Sequence, residues 1–124
     1  MISRINHCKV SKDEAYNKLY RAAQAGAYTS YLRGERCINE QAFFYEVSAS
    51  FQFPWYFGEN WAAFDECICD LEWITFERIY IFIDDYSRMF NGNIMLQERL
   101  LKYLHKAMDY WQTTGIEIEI TLNN

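Results

Sequence analysis

Arg78-Ile79-Tyr80-Ile81-Phe82-Ile83 is the run on which the fold turns. It is almost wholly apolar, as a strand covered on both faces must be, and such strands belong to parallel sheets. Asp84-Asp85 ends it. Downstream, Ile116-Glu117-Ile118-Glu119-Ile120-Thr121-Leu122 alternates with period two, which predicts a strand with one wet face and suggests an edge position. Upstream, Tyr28 to Leu32 has strand composition and stops at the Arg33-Gly34-Glu35 turn. Helical patterns fill the gaps. Asn39 can cap a helix lined by Phe43, Phe44, Val47 and Phe51 and closed by Pro54. Asn60 can cap another running to about Leu71, and after Asn91-Gly92-Asn93 a long helix carries the stripe Leu96, Leu100, Leu101, Leu104, Met108 and Trp111. Ser11 with Glu14 forms a capping box for a first helix over about 12–25, with Gly26 as its stop. Strands separated by helices pair in parallel through crossovers. The expected fold class is α/β: a three-stranded parallel sheet packed with helices, plus an extra N-terminal helix.

The whole chain, 124 residues, suits one core without disulfides or metals. Ten Tyr, nine Phe and four Trp exceed the needs of a small core, so either some face a partner or the core is unusually aromatic. The start, Met1 to Tyr16, lacks the apolar run of a signal peptide, and no segment approaches a membrane span. Cytoplasmic localisation with free thiols at Cys8, Cys37, Cys67 and Cys69 follows as the expectation. The net charge is −5 and unevenly spread: from Cys37 to Glu77 eight acids occur without one Lys or Arg, while the first 36 residues hold seven bases against three acids. An acidic middle repels nucleic acid and attracts a basic protein.

No catalytic motif occurs. His105 reads as a solvated helix position, and the adjacent pair His7-Cys8 cannot face each other on a regular element. Cys67-x-Cys69 without a second pair is a weak metal signal. Asp84-Asp85 could hold a metal at a strand end, although a plain strand exit explains it more simply. Neither an enzyme nor a cofactor is expected.

The informative segment runs from Phe53 to Trp73, FPWYFGENWAAFDECICDLEW. At about 100° per residue, Phe64, Cys67, Ile68 and Leu71 share a buried helix face. Ala62, Asp65, Glu66, Cys69 and Asp70 turn away from it, and Trp61 borders the aromatic loop Trp55-Tyr56-Phe57. The acids Asp70 and Glu72 crowd the end where the helix dipole disfavours them, an arrangement that makes sense if a partner uses it. A carboxylate face rimmed by aromatics can occupy phosphate positions in a basic cleft and exclude water around the contact.

At Pro54-Trp55-Tyr56-Phe57-Gly58-Glu59-Asn60-Trp61, followed by Ala63-Phe64, Glu66-Cys67 and Asp70-Leu71-Glu72-Trp73, the chain resembles the barstar family of ribonuclease inhibitors. A looser likeness covers Ala27 to Leu122. The resemblance implies a three-stranded parallel sheet with helices and a loop-plus-helix that enters a ribonuclease cleft. Tyr56, Phe57, Gly58, Asn60 and Trp61 match contact positions, and Glu66 matches the family's central acid with one more methylene. There are departures: Ala62 replaces an aspartate, Asp65 a tryptophan, and Lys106 falls near a further acidic contact. A changed acid pattern implies a changed target.

The resulting expectation is an N-terminal helical extension over residues 1–26 and an inhibitor domain over 27–124. Its partner-binding residues are Trp55, Tyr56, Phe57, Gly58, Asn60, Trp61, Ala62, Asp65, Glu66, Cys69 and Asp70. The partner is a basic ribonuclease or related toxin held 1:1, with no nucleic acid, membrane or small-molecule substrate, and the protein an immunity protein. Behind this stand immunity against a non-ribonuclease toxin, a regulatory adaptor without inhibitory activity and, last, a metal enzyme at Asp84 and Asp85.

Overall fold

The computed structural model describes residues 4–124. Its order is β1 (Arg4–Cys8), α1 (Lys12–Gln24), β2 (Tyr28–Arg33), α2 (Glu40–Phe51), α3 (Trp61–Ile68), β3 (Arg78–Asp84), α4 (Ile94–Thr114) and β4 (Glu117–Asn123). Short 3-10 turns occupy Gly34–Arg36 and Tyr86–Gly92. The sheet is wholly parallel, in the order β1-β4-β3-β2.

The α/β class, the parallel sheet and the added N-terminal helix stand. The strand count does not: the sheet has four strands, because β1 pairs with β4 from Arg4 opposite Glu119 to Cys8 opposite Asn123. Arg4-Ile5-Asn6-His7-Cys8 has neither an apolar run nor an apolar alternation, so its sequence gives no strand signal. For the same reason β4 is interior rather than at the edge. Its alternation reflects a sheet whose two faces differ, with β1 supplying the missing neighbour.

Register separates those faces. Ile79, Ile81 and Ile83 of β3 lie level with Ile118, Ile120 and Leu122 of β4, and Leu32 of β2 with Ile83. These side chains and the inner faces of α2, α3 and α4 form the main core. On the other face Tyr80 and Phe82 pack with Ala15, Leu19 and Ala22 of α1 and with Ala27 and Tyr31.

Asparagine caps set three helix starts. Asn39, Asn60 and Asn93 accept hydrogen bonds from the amides of Ala42 (2.8 Å), Ala63 (2.8 Å) and Leu96 (3.1 Å), each cap contributing about 1 kcal/mol. Ser11 caps α1 through the Glu14 amide. Helix α2 stops at Phe51 because Gln52 is left-handed, two residues before the proline assigned that task. Helix α3 is shorter than the spacing implied. It ends at Ile68, Leu71 takes a positive φ of 43°, and Asp70 and Glu72 therefore lie beyond the helix. In α4, Leu100, Leu104, Met108 and Trp111 are buried as the stripe predicts, with Leu96 and Leu101 only partly so. Gln97 joins the buried side, its Nε2 donating to the carbonyls of Ser87 and Met89 in the turn below.

Candidate functional site

The loop between α2 and α3 alternates rings inward and outward. Phe53 and Phe57 are buried, edge to face at 4.9 Å. Trp55 and Tyr56 between them are 95% and 56% exposed. The Phe57 amide donates to the Pro54 carbonyl at 2.9 Å, and the Phe53 amide to that of Ser48 at 3.0 Å. Two buried anchors thus hold two exposed rings at one place. Asn60 Nδ2 donates to the Gly58 carbonyl at 3.2 Å while its Oδ1 caps α3, so the loop and helix start are one hydrogen-bonded unit.

Helix α3 rests on a cluster of aromatic rings. Phe64 is 1% exposed and touches Phe43, Phe53, Trp61 and Tyr103. Trp61 stacks on Tyr103 at 5.4 Å and 7°, and its Nε1 donates to Glu40 Oε2 at 2.5 Å. The last turn is secured by Trp111 Nε1, which donates to the Ile68 carbonyl at 2.8 Å.

The eleven site residues fall into three groups. Trp55, Tyr56, Gly58, Asn60, Ala62 and Glu66 are exposed. Trp61, Asp65, Cys69 and Asp70 are half-buried. Phe57 is buried, so its ring serves as an anchor and leaves only backbone to offer a partner. Desolvation first, then the charge of Asp70 and, behind it, those of Cys67, Glu72 and Glu66, raises the Tyr56 phenol above the ordinary value. Asp70 therefore stays with the site although it is off the helix.

One premise needs correction. The stretch without bases suggested an acidic face free of cations, but folding brings α4 alongside. Lys106 Nζ donates to Asp65 Oδ2 at 2.7 Å, and Arg99 lies 3.7 Å from Glu40. Asp65 is thereby tied down, whereas Glu66, Asp70 and Glu72 have no ion-pair partner among the described residues. Glu40, Tyr103 and Arg99 were missed as neighbours of the site. The helical spacing of Tyr103 from Leu100 and Leu104 was the available signal for one of them.

The other clusters resolve as structure. Asp84 is 3% exposed and accepts from Lys12 Nζ (3.0 Å), the Tyr31 hydroxyl (2.5 Å) and Asn123 Nδ2 (2.8 Å). Burial raises its pKa, but these donors outweigh it and hold the carboxyl below the ordinary value. Tyr31 is pushed up to about 12, by burial first and then by its bond to Asp84. Cys67 is buried in the core, and Cys69 is half-buried against it with its thiol donating to Asp65; burial, then nearby acids, raises both thiols. All four cysteines are free, and no group of three metal-ligating side chains forms among the described residues. His105 is exposed on α4, and Cys8 donates to Asn123 while His7 points to the other side of β1. No helix among the described residues is long and apolar enough to cross a membrane.

Comparison with curated proteins returned no match. Comparison with protein families gave Barstar (barnase inhibitor) over residues 27–123, more than three quarters of the chain and all of the loop, α3 and α4. With that match and this parallel α/β sheet, the chain belongs to the barstar family.

Proposed function

We propose that this protein is a non-enzymatic inhibitor of a basic ribonuclease, acting as a cytoplasmic immunity protein that holds one toxin molecule 1:1. The observation that carries the reading is the loop. Phe53 and Phe57, buried, fix Trp55 and Tyr56 outside, on a loop tied by Asn60 to the start of α3, which carries the exposed Glu66. A ribonuclease cleft displays Arg, Lys and His to hold phosphates. Glu66 and Asp70 can take up those positions with charge-assisted hydrogen bonds, and the opposite fields speed encounter. Trp55 and Tyr56 supply apolar area that excludes water from the contact. Because the loop is already ordered, little conformational entropy is lost on binding. The binding residues are the eleven above, with Phe57 acting through its backbone; residues 1–26 are an extension to the inhibitor domain at 27–124.

The test is a titration of the native protein into barnase and other basic ribonucleases, following RNA cleavage. Cleavage by at least one of them should fall linearly to zero at equimolar inhibitor. Binding that leaves cleavage intact would instead support a regulatory adaptor. One observation favours a target other than barnase, including a toxin that is not a ribonuclease: Ala62 offers no charge, and Asp65 is bound to Lys106.

A further inference from the structure

The outward side of α4 carries a groove of about 870 Å³ lined by Met95, Glu98, Arg99, Lys102, Tyr103 and Lys106. Their spacing of three and four residues places them in one stripe along the helix. Three of the six are cations and one is an acid. The groove abuts the partner-binding face along two fixed contacts, the parallel stack of Tyr103 on Trp61 and the bridge from Lys106 to Asp65. Beyond that line lie Glu66, exposed on α3, and Asp70, half-buried just after it, neither with an ion-pair partner among the described residues. Lys102, in the middle of the stripe, has no carboxylate partner among the described residues, and Arg99 reaches only 3.7 Å from Glu40.

We infer that the docking surface is bipolar, and that the α4 groove takes an acidic segment of the same protein whose basic cleft meets α3. This rests on the inhibitor reading and narrows the partner. A uniformly basic partner would set its own cations against Lys102 and Arg99, and like charges brought together at an interface count strongly against a complex. A partner with Asp or Glu beside its basic cleft satisfies both halves. Charge complementarity also opposes a nucleic-acid occupant. A phosphate chain in the groove would run past the carboxylates of α3 on a protein whose net charge is −5. Tyr103, half-buried and stacked, gives the groove a rigid apolar floor against which an acidic side chain's stem can pack.

The test is an amide NMR titration at low salt with hexaglutamate and, separately, hexalysine, on the native protein and on an Arg99→Glu, Lys102→Glu double variant. Hexaglutamate should shift the amides of residues 95–106, and hexalysine those of residues 65–72. In the double variant the hexaglutamate response should weaken at least tenfold while the hexalysine response persists, which also shows that the variant is folded. No hexaglutamate shifts on α4, or shifts unchanged in the double variant, would overturn the inference. So would hexathymidylate occupying the groove more tightly than hexaglutamate, since that would make it a phosphate site. Ribonuclease inhibition is scored apart: its failure with the peptide polarity intact would remove the inhibitor reading alone.

Discussion

The two faces of the sheet are built from different chemistry. One presents Ile79, Ile81, Ile83, Ile118, Ile120 and Leu122 to three helices, and every one of these side chains is buried. The other presents Tyr80, Phe82, Thr121, Asp84 and Asn123, is covered by α1, and uses hydrogen bonds to make burial tolerable. Tyr80 donates to Thr121 at 3.1 Å, and Tyr31, Lys12 and Asn123 converge on Asp84. The aliphatic face needs no partner geometry and supports the loop and α3. The polar face holds the N-terminal segment, mostly outside the family match, in one register. Position is set on one side by packing and on the other by satisfied donors.

Damage to the first face should cost the most. Phe64→Ala removes the ring on which α3 sits and should destabilise the fold by about 4 kcal/mol, seen as a lower urea midpoint together with lost inhibition. Gly34→Ala comes next, at the seam between the faces. A Cβ there would press into the carbonyl oxygens of Asp84 and Asp85, which are backbone and cannot turn aside, and the cost should be about 3 kcal/mol.

On the polar face, Asp84→Ala should cost about 2 kcal/mol by leaving unpaired the Tyr31 hydroxyl and one N–H of the Asn123 amide, whose Nδ2 otherwise donates to the Val10 carbonyl. Inhibition per folded molecule should stay the same, which is what separates the two faces. Asp84 also fixes a pH dependence. Its folded pKa is depressed, so its contribution is present above the unfolded value of about 3.9 and is lost as pH falls through the folded value. The acid limb of the native stability curve should therefore be steeper than that of Asp84→Asn, measured by urea unfolding between neutral pH and acid. Trp55→Ala should leave stability almost untouched. With the ring 95% exposed, stability should change by less than about 0.5 kcal/mol while inhibition weakens strongly.

The same contrast explains what the sequence disclosed. The aliphatic face was legible because Ile79-Tyr80-Ile81-Phe82-Ile83 is an unbroken apolar run and the Ile-Glu alternation of β4 a period-two signal, and Asn39, Asn60 and Asn93 mark helix starts locally. The polar face was not. Arg4 to Cys8 becomes a strand through pairing with β4 and through Asn6, which donates to Glu119, and Asn123, which accepts from the Val10 amide. Contacts more than a hundred residues apart leave no local pattern. In the site, the buried face of α3 followed from spacing, but the loop's alternation did not, since Phe57, expected at the contact, turns its ring into the core. The early end of α3 did not, since Leu71 adopts a left-handed backbone that its identity does not suggest. The bridge from Lys106 to Asp65 was hidden likewise, because it joins helices 41 residues apart in sequence.

The most direct test replaces Glu66 with Ala, an exposed change on α3, and measures the inhibition constant against the ribonuclease that the native protein blocks, with the thermal midpoint recorded beside it. The inhibition constant should rise at least about tenfold, a loss of about 1.4 kcal/mol, with the midpoint unmoved. A constant within about threefold of the native one, roughly 0.7 kcal/mol, would contradict the assignment of this face as the inhibitory surface.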